Sequence, residues 1–496
     1  AIFCADRQMT YADLDAQSNQ LANQLLSLNL APETKVAIIS RNLSEYGIVF
    51  FGVARSGYVL TNISVLYAAA ELQFVLSKAD VEVLIFDQVF SEKVEAVRAS
   101  LPGIGQYIQI GDGPLLSGAV NFLDWIAGAS DQAPEIELSA EAPFCMTYTG
   151  GTTGRPKGVL CSHRARAVTA HTVMVEEGID ETDIVGVVTP MFHVAALNIM
   201  FQPAILAGAT TTLLPKWSPE AFVEMVESRA MTACFMVPTQ AAMLLNSPAF
   251  DVHRLRTWRK LSFAGAPMPD WVQRSLRERL PDLKLTQIYG QSEMGVIAVL
   301  RDWYLPEKLG AVGRQPYNVD VRVVRPDGRD VAPGEIGEVV SRGDNLMLRY
   351  YDEPEQTRAF FKLGDGWGWS GDVGTIDADG FITLIDRSKD MMICGGENVY
   401  PKEIESVIFE LSQVAECAVF GVPDDKWGEV PIAYVSLQPG AGLTEEALIA
   451  HCTSRLARFK RPRQVCFVTD FPKTPIGKIQ KTVLRDTYWQ DQEKNI

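Results

Sequence analysis

Short apolar runs alternate with amphipathic helical patterns over the first 290 residues of this 496-residue chain. The apolar runs have the length of buried strands, and segments such as 219–229 and 270–280 between them have helical periodicity. Strand, helix and strand repeated in this way are typical of a parallel sheet covered by helices on both faces. The predicted strands are 35–40, 81–87, 184–190, 209–215, 231–238, 260–265 and 284–290.

The pattern changes after about Gly310. Residues 319–343 alternate apolar and polar side chains around Asp-Gly and Pro-Gly turns, which predicts antiparallel hairpins or a small barrel. The last hundred residues mix strand and helix patterns. We therefore predict an α/β fold with a large N-terminal domain (1–388) of helix-covered parallel sheets, which includes a small β-barrel-like subdomain at about 310–388. A small α+β C-terminal domain (389–496) follows it.

The charge balance restricts the partners of the chain. Sixty-one acidic and 45 basic residues give a formal net charge of −16, which repels nucleic-acid backbones and anionic lipid. A polyanionic ligand would need a local cluster of donors. The eight cysteines form no C-x-x-C pair and the five histidines are dispersed, which argues against zinc and favours a reducing compartment such as the cytoplasm.

No membrane segment is expected. Residues 184–215 lack Asp, Glu, Lys and Arg, but Pro190, His193 and Pro203 interrupt them. This pattern predicts a buried strand–helix–strand rather than a membrane span. The N-terminal residues have no basic stretch followed by an apolar one, so no signal peptide is expected.

The densest motif is TYTGGTTGRPKG at 147–158. Its glycines allow backbone N–H groups to point into one concavity, its threonines add hydroxyl donors, and Lys157 adds a positive charge. Such a loop is suited to a polyphosphate. It is not a Walker A loop, because Gly158 rather than Ser or Thr follows the lysine.

This loop resembles the signature loop of the adenylate-forming superfamily, which includes acyl-CoA synthetases, peptide-synthetase adenylation domains and firefly-type luciferases. The usual loop has Ser at the position of Gly150. Further segments resemble the other family motifs in the family's order: PMFH at 190–193, AGAP at 264–267, YGQSE at 289–293, SGD at 370–372, DRSKD at 386–390 and PIGK at 475–478.

The resemblance implies a two-step reaction that uses ATP, Mg²⁺ and coenzyme A. A carboxylate and MgATP give acyl-AMP and pyrophosphate, and a thiol then displaces AMP. The resemblance also implies that the C-terminal domain is mobile and brings Lys478 to the attacking carboxylate and the α-phosphate, with a hinge at Lys389. After rotation, Gly395 and Gly396 would line a pantetheine tunnel.

The resemblance assigns the remaining nucleotide contacts by motif position. Ser292 would donate to the α-phosphate, Glu293 would bind Mg²⁺, Asp372 would accept from the ribose hydroxyls and Arg387 would add donors nearby. The phosphate-loop residues are Thr149, Gly150, Gly151, Thr152, Thr153, Gly154 and Lys157, of which Thr152 is also assigned to catalysis. The residues assigned to the adenine are Ala264, Gly265, Ala266 and Tyr289, and the further cofactor-binding candidates are Gln287, Gly290 and Gln291.

The acyl group is less determined. The implied pocket residues are small and mostly uncharged: His193 (also a catalytic candidate), Val194, Ala195, Asn198, Gly290, Gly295 and Val296. They favour a hydrophobic acid, fatty acids first, with an aryl acid such as a cinnamate, ferulate or benzoate as the alternative. His193 follows Phe192 where amino-acid-activating domains usually have Asp, and no carrier-protein motif is found, so free coenzyme A is the expected acceptor.

Two other classes stay open. An oxygen-dependent oxidoreductase of the luciferase type is less favoured. A catalytically silent adenylate binder is disfavoured, because Lys157, Glu293, Asp372, Arg387 and Lys478 are all present. The oligomeric state is open, a homodimer included.

Overall fold

A computed structural model describes residues 2–5, 7–149, 156–266, 268–305, 307–387, 390–394, 397–424, 426–473 and 479–489. The strands, numbered in chain order, are β1 (Ile2–Cys4), β2 (Arg7–Met9), β3 (Lys35–Ile39), β4 (Val59–Asn62), β5 (Val81–Asp87), β6 (Gln106–Ile110), β7 (Val120–Asn121), β8 (Pro143–Thr149), β9 (Lys157–Ser162), β10 (Ile184–Val187), β11 (Thr210–Leu213), β12 (Ala233–Met236), β13 (Lys260–Phe263), β14 (Lys284–Gln291), β15 (Gly295–Leu300), β16 (Asp320–Val324), β17 (Gly337–Arg342), β18 (Arg349–Tyr350), β19 (Gly368–Ile376), β20 (Ile382–Arg387), β21 (Met392–Cys394), β22 (Glu397–Val399), β23 (Val414–Asp424), β24 (Gly428–Leu437) and β25 (Val465–Phe467).

The α-helices are α1 (Tyr11–Ser27), α2 (Ser44–Ser56), α3 (Ala69–Lys78), α4 (Ser91–Arg98), α5 (Phe122–Ala127), α6 (His163–Glu177), α7 (Gln202–Leu206), α8 (Pro219–Arg229), α9 (Pro238–Asn246), α10 (Asp270–Arg279), α11 (Pro354–Phe360), α12 (Pro401–Ile408), α13 (Glu445–Arg455) and α14 (Lys481–Asp486). A π-helix spans Ala195–Phe201, and short 3₁₀ helices span Gln88–Phe90, Asp302–Tyr304 and Arg458–Lys460.

The chain divides into two compact units. The described residues of the first lie in 2–149, 156–321 and 341–368, and those of the second lie in 322–340 and 369–489. The predicted boundary between residues 388 and 389 stays a prediction.

The first unit contains two eight-stranded sheets, in the orders β15-β14-β13-β12-β10-β11-β1-β2 and β18-β9-β8-β4-β3-β5-β6-β7. The central strands of both are parallel, and β15, β2, β9 and β18 are antiparallel to their neighbours. The predicted parallel, helix-covered architecture is therefore confirmed. All seven predicted strands form, and several end one to three residues earlier than predicted.

The main hydrophobic core of the first unit lies around helix α2. Most side chains of α2 are buried. Val36 and Ile38 of β3 join this core, whereas Ala37 and Ile39 join a separate core of buried residues, as expected from the alternation of side chains along a strand. Close packing of α2 on α1 depends on Gly52, because a Cβ there would lie 2.7 Å from the Leu21 side chain.

The uncharged segment 184–215 is a buried strand–helix–strand, as predicted. Strand β10 leads into the π-helix, α7 and then β11, which pairs with β10 in parallel. Among the described residues, no helix is both long and apolar enough to cross a membrane.

The β-rich segment after Gly310 forms a four-stranded sheet in the order β16-β17-β19-β20, most of which lies in the second unit. The second unit also contains a five-stranded sheet, β22-β21-β24-β23 with β25 beside β24. Its core combines this sheet with apolar side chains of α12 and α13, among them Ile404, Ile408 and Leu448. The predicted mixture of strands and helices is confirmed.

One buried amide connects the two sheets of the first unit. Asn42 follows β3, and its Nδ2 donates to the carbonyl oxygens of Val187 (3.2 Å), Thr189 (2.9 Å) and Leu214 (3.1 Å). Its Oδ1 accepts from the backbone N–H of Met191 at 2.8 Å. The carboxyl ends of β3, β10 and β11 therefore meet at one residue.

We expect Asn42→Ala to lower the free energy of unfolding by about 3 kcal/mol or more, because several buried backbone groups would lose their partner. Urea unfolding followed by tryptophan fluorescence measures this. Asn23→Ala is the matched control. The Asn23 amide also donates to two carbonyl oxygens, of Ser130 and Gln132, but in an exposed position, so its loss is expected to cost under about 1 kcal/mol. Equal losses in both variants would contradict the role given to Asn42.

Candidate active site

The phosphate-loop motif begins and ends on paired strands. Thr149 is the last residue of β8 and Lys157 the first of β9, and the two are directly opposite each other in the antiparallel pair. A Cβ on Gly158 would lie 2.8 Å from Met146 Sδ, so a larger residue after the lysine would require the Met146 side chain to shift. The other predicted loop residues lie outside the described part of the chain: Gly150, Gly151, Thr152, Thr153 and Gly154.

Lys157 is half-buried at the edge of this hairpin. Burial lowers the pKa of its ammonium group below the usual 10.5, and the negative charges of Glu293 and Glu353 oppose that shift. Its Nζ lies 5.2 Å from the centre of the Tyr350 ring. The fold therefore holds an incompletely solvated cation where the sequence predicted phosphate contacts.

The predicted nucleotide-binding residues around the adenine turn lie at the carboxyl ends of neighbouring parallel strands. Residues 264–266 follow β13, and Gln287 and Tyr289 lie on β14, which pairs with β13 in parallel. Gly265 has a φ of +85°, a conformation that favours glycine. The carboxyl ends of parallel strands, and the loops that follow them, are where open α/β sheets bind ligands.

The hairpin between β14 and β15 carries Ser292 and Glu293. It requires glycine at position 290, since a Cβ there would lie 2.1 Å from the Gly295 carbonyl oxygen. Ser292 is buried and Glu293 half-buried. Gln291 is the last residue of β14, directly before this turn. The turn thus presents a hydroxyl and a carboxylate next to the predicted adenine site.

Glu293 suits a magnesium ion that arrives with a nucleotide. Its Oε1 accepts from the neutral Tyr350 hydroxyl at 2.9 Å, so the carboxylate is oriented without being neutralised. Mg²⁺ is commonly bound by one or two carboxylates together with substrate phosphates and water. Among the described residues, no group of three His, Cys, Asp or Glu side chains is placed to hold a metal by itself.

The predicted acyl-pocket residues come from the π-helix region, from Gly290 of β14 and from the start of β15. His193 Nδ1 accepts from the backbone N–H of Ala195 at 3.2 Å, which leaves Nε2 as the protonated nitrogen of the neutral ring. Asn198 is 1% exposed. Its Nδ2 donates to Gln202 at 2.9 Å, while its buried Oδ1 has no hydrogen-bond partner among the described residues. Val194 is half-buried, Gly295 has a φ of +60° and Val296 is buried.

The predicted ribose-binding pair lies in the second unit. Asp372 of β19 is directly opposite Arg387 of β20 in the antiparallel register, although the Arg387 side chain is outside the described part of the chain. Ser370 Oγ accepts from the Asp372 backbone N–H at 3.0 Å and donates to the Val339 carbonyl at 2.6 Å. Both bonds hold the backbone beside Gly371, which has a φ of +71° within β19.

Several predicted residues lie outside the described part of the chain: Lys389, Gly395, Gly396 and Lys478. The hinge, the pantetheine contacts and the catalytic lysine therefore stay predictions. In contrast, the sequence reasoning missed Tyr350, which contacts both Glu293 and Lys157. A signal for it in one sequence is hard to find, because a tyrosine beside a second tyrosine before Pro354 has no pattern of its own.

Comparison with known proteins agrees with this geometry. Residues 1–351 match the family described as AMP-binding enzyme, and residues 403–478 match the AMP-binding enzyme C-terminal domain. The chain belongs to the AMP-binding enzyme family.

Relatives and solved structures cover nearly the whole chain. A feruloyl-CoA synthase of Amycolatopsis sp is 34% identical over 96% of this chain and 93% of its own length. The long-chain-fatty-acid–CoA ligase FadD13 of Mycobacterium tuberculosis is 33% identical over 97% and 94%. The crystal structure of ATP-bound MatB from Rhodopseudomonas palustris superimposes with a TM-score of 0.89 at 30% identity, over 98% of this chain and 95% of that one. Family and relatives together identify this chain as an AMP-forming acid–thiol ligase.

The lowered pKa of Lys157 predicts an alkaline limit to ATP use. We expect kcat/KM for ATP to fall as pH rises through a value below 10.5, because the free enzyme then loses the ammonium charge. Lys157→Arg should move that limb to higher pH, since a guanidinium keeps its proton. Steady-state kinetics as a function of pH measure this. An unchanged alkaline limb in the arginine variant would assign the titration to another group.

Proposed function

We propose that this enzyme activates a hydrophobic carboxylic acid as its acyl adenylate and transfers the acyl group to coenzyme A. The observation that carries the proposal is that Lys157 and Glu293, from different sheets, flank one tyrosine close to the carboxyl ends of the parallel strands. A magnesium–polyphosphate complex requires a cation that binds its phosphate oxygens and a carboxylate that binds its metal ion.

The first step forms a bond between a carboxylate oxygen and the α-phosphorus of ATP and breaks the bond to pyrophosphate. In the second step the coenzyme A sulfur attacks the acyl carbon, AMP leaves with the bonding electron pair, and the thiol proton passes to solvent. Because both reactants of the first step are anions, positioning and charge neutralisation dominate the catalysis.

Different residues of this chain would position the reactants and neutralise their charges. Lys157 and the loop after Thr149 would hold the β- and γ-phosphates, Ser292 would donate to the α-phosphate, and Glu293 would hold Mg²⁺. When bound, the ion would neutralise the developing negative charge on the phosphate oxygens. His193, whose Nδ1 accepts from the Ala195 backbone N–H, would lie beside the acyl carboxylate. Asp372 and Arg387 would hold the ribose.

The C-terminal residues complete the proposal. Lys478 would bridge the carboxylate and the α-phosphate during adenylation. A rotation about Lys389 would then remove it and bring Gly395 and Gly396 to the pantetheine chain. A hinge of this kind requires only a few residues that absorb a change in φ and ψ.

The acid is proposed to be hydrophobic, with fatty acids favoured. One observation supports a second candidate, an aryl acid with a hydroxyl group on its ring. The unpartnered Oδ1 of Asn198 is buried, and a buried acceptor without a partner favours a ligand that brings a donor. The similarity to a feruloyl-CoA synthase points in the same direction.

We place the enzyme in the cytoplasm, because all eight cysteines are free thiols and seven of them are buried, which suits a reducing compartment. A homodimer is a separate hypothesis, which the mass of the protein in solution tests.

We expect Lys478→Ala to slow adenylation by about 10²–10³-fold, since it removes a donor to the transition state. Pyrophosphate release measures the first half-reaction, and thioester formation from supplied acyl-AMP measures the second, which should be nearly unchanged. Lys473→Ala is the matched control, because that exposed lysine pairs with Glu416 and should affect neither step. Equal loss of both half-reactions in Lys478→Ala would refute the assignment.

Coenzyme-A-dependent AMP release across alkyl and aryl acids tests the substrate class. If a ring hydroxyl bonds Asn198, Asn198→Leu should lower kcat/KM for a hydroxycinnamate by about tenfold or more relative to cinnamate, which lacks the donor. An unchanged ratio would remove the aryl candidate in its hydroxylated form. Oxygen uptake in the same assay would instead indicate an oxidoreductase of the luciferase type.

A further inference from the structure

Strand β18 connects the hairpin that carries Glu293 to the hairpin that carries Lys157. Just before it, the backbone N–H of Met347 donates to the Glu293 carbonyl oxygen at 2.7 Å. On the other side, the Tyr351 backbone N–H donates to the Gly158 carbonyl oxygen at 2.8 Å, and Tyr350 pairs with Val159. The backbone around Tyr350 is therefore bonded to both elements of the candidate active site.

The hydroxyl of Tyr350 makes a directed contact with the proposed metal ligand. It donates to Glu293 Oε1 at 2.9 Å. A carboxylate has two oxygens, and occupation of Oε1 by a neutral donor fixes the plane of the group while the lone pairs of Oε2 stay available to a cation. Hydrogen bonds to the groups that bind a metal orient those groups, and their removal typically lowers metal affinity.

The ring of the same tyrosine makes a second contact. The Lys157 ammonium lies 5.2 Å from the ring centre, within the range of a cation–π interaction. The ring is held by an edge contact with Phe360, 6.2 Å between centres, and the Tyr350 backbone N–H donates to Thr357 Oγ1 at 3.0 Å. These contacts hold the ring in place independently of the hydroxyl.

We propose that Tyr350 is a positioning residue for adenylation, with its hydroxyl orienting Glu293 toward Mg²⁺ and its ring placing Lys157 at the phosphates. This inference rests on the proposed function. It predicts that the two halves of one side chain have separable effects. The hydroxyl acts on the metal-dependent part of nucleotide binding, and the ring acts on the part that needs no metal.

Two substitutions separate these effects. Tyr350→Phe removes only the hydroxyl and keeps the ring against Lys157 and Phe360. Tyr350→Leu removes both. The chain also supplies a matched control in the next residue. The Tyr351 hydroxyl donates to an Asp80 carboxylate oxygen, also at 2.9 Å, and Asp80 has no assigned role in the reaction.

The experiment is calorimetric titration of ATP into the full-length enzyme without any acid, once with excess Mg²⁺ and once with EDTA. The ratio of the two dissociation constants isolates the contribution of the metal. We expect Tyr350→Phe to reduce the tightening by Mg²⁺ about tenfold, within the range for residues that orient metal ligands, and to leave binding in EDTA unchanged. Tyr351→Phe should match the wild type in both titrations.

Tyr350→Leu should weaken ATP binding in EDTA as well, by about two- to fivefold for a partly exposed cation–π contact. A Tyr350→Phe variant with the wild-type ratio would overturn the role of the hydroxyl. A Tyr350→Leu variant that is folded and binds ATP normally in EDTA would overturn the role of the ring.

The failure of this inference differs from the failure of the proposed function. If wild-type enzyme releases AMP and pyrophosphate and binds ATP more tightly with Mg²⁺, but Tyr350→Phe behaves identically, only the role of the Tyr350 hydroxyl is wrong. If Mg²⁺ does not affect ATP binding to the wild type, the metal role of Glu293 is wrong, and the inference is overturned with it.

Discussion

The buried amide of Asn42 sets the geometry on which the active site depends. Each of the two parallel sheets ends in loops that could bind a ligand, but a site built from both needs their carboxyl ends to meet. One side chain with donors to three carbonyl oxygens and an acceptor for one N–H makes β3, β10 and β11 end at the same place. Since most of these groups are buried, they favour this arrangement over others in which they would be unpaired.

Because the net charge of the chain is −16, the binding of a polyphosphate depends on the local electrostatics of its site. A polyphosphate is repelled by such a surface at long range, so its binding depends on donors and cations that the fold concentrates. Lys157 illustrates the balance. Burial disfavours its charge, while Glu293 and Glu353 favour it. An arriving phosphate would add to the second effect, so the incompletely solvated ammonium gains more from the ligand than a fully hydrated one would.

Sequence periodicity predicts β3, β5 and β10 to β14, because a run of four to eight apolar residues is a local property. The parallel strands β4, β6 and β8 were not predicted. Strands β1 and β18 were missed because three or two residues carry no periodicity and their partners are distant, for example Thr211 for Ile2. Strand β10 ends at Val187, before its predicted limit, and the Asn42 side chain binds the carbonyl oxygens of Val187 and Thr189 there. The Lys157 and Glu293 positions follow from motifs, whereas Tyr350 becomes visible only when the two hairpins are seen together.

A tyrosine suits the position between Lys157 and Glu293 better than a charged residue would. A lysine or arginine would pair with Glu293 and reduce its attraction for Mg²⁺, and an aspartate or glutamate would pair with Lys157 and compete with the phosphates. A phenol is neutral at physiological pH, donates one hydrogen bond to the carboxylate and presents a ring face to the ammonium. It therefore contacts both charged groups without adding a charge of its own, so both stay available to the nucleotide and its ion.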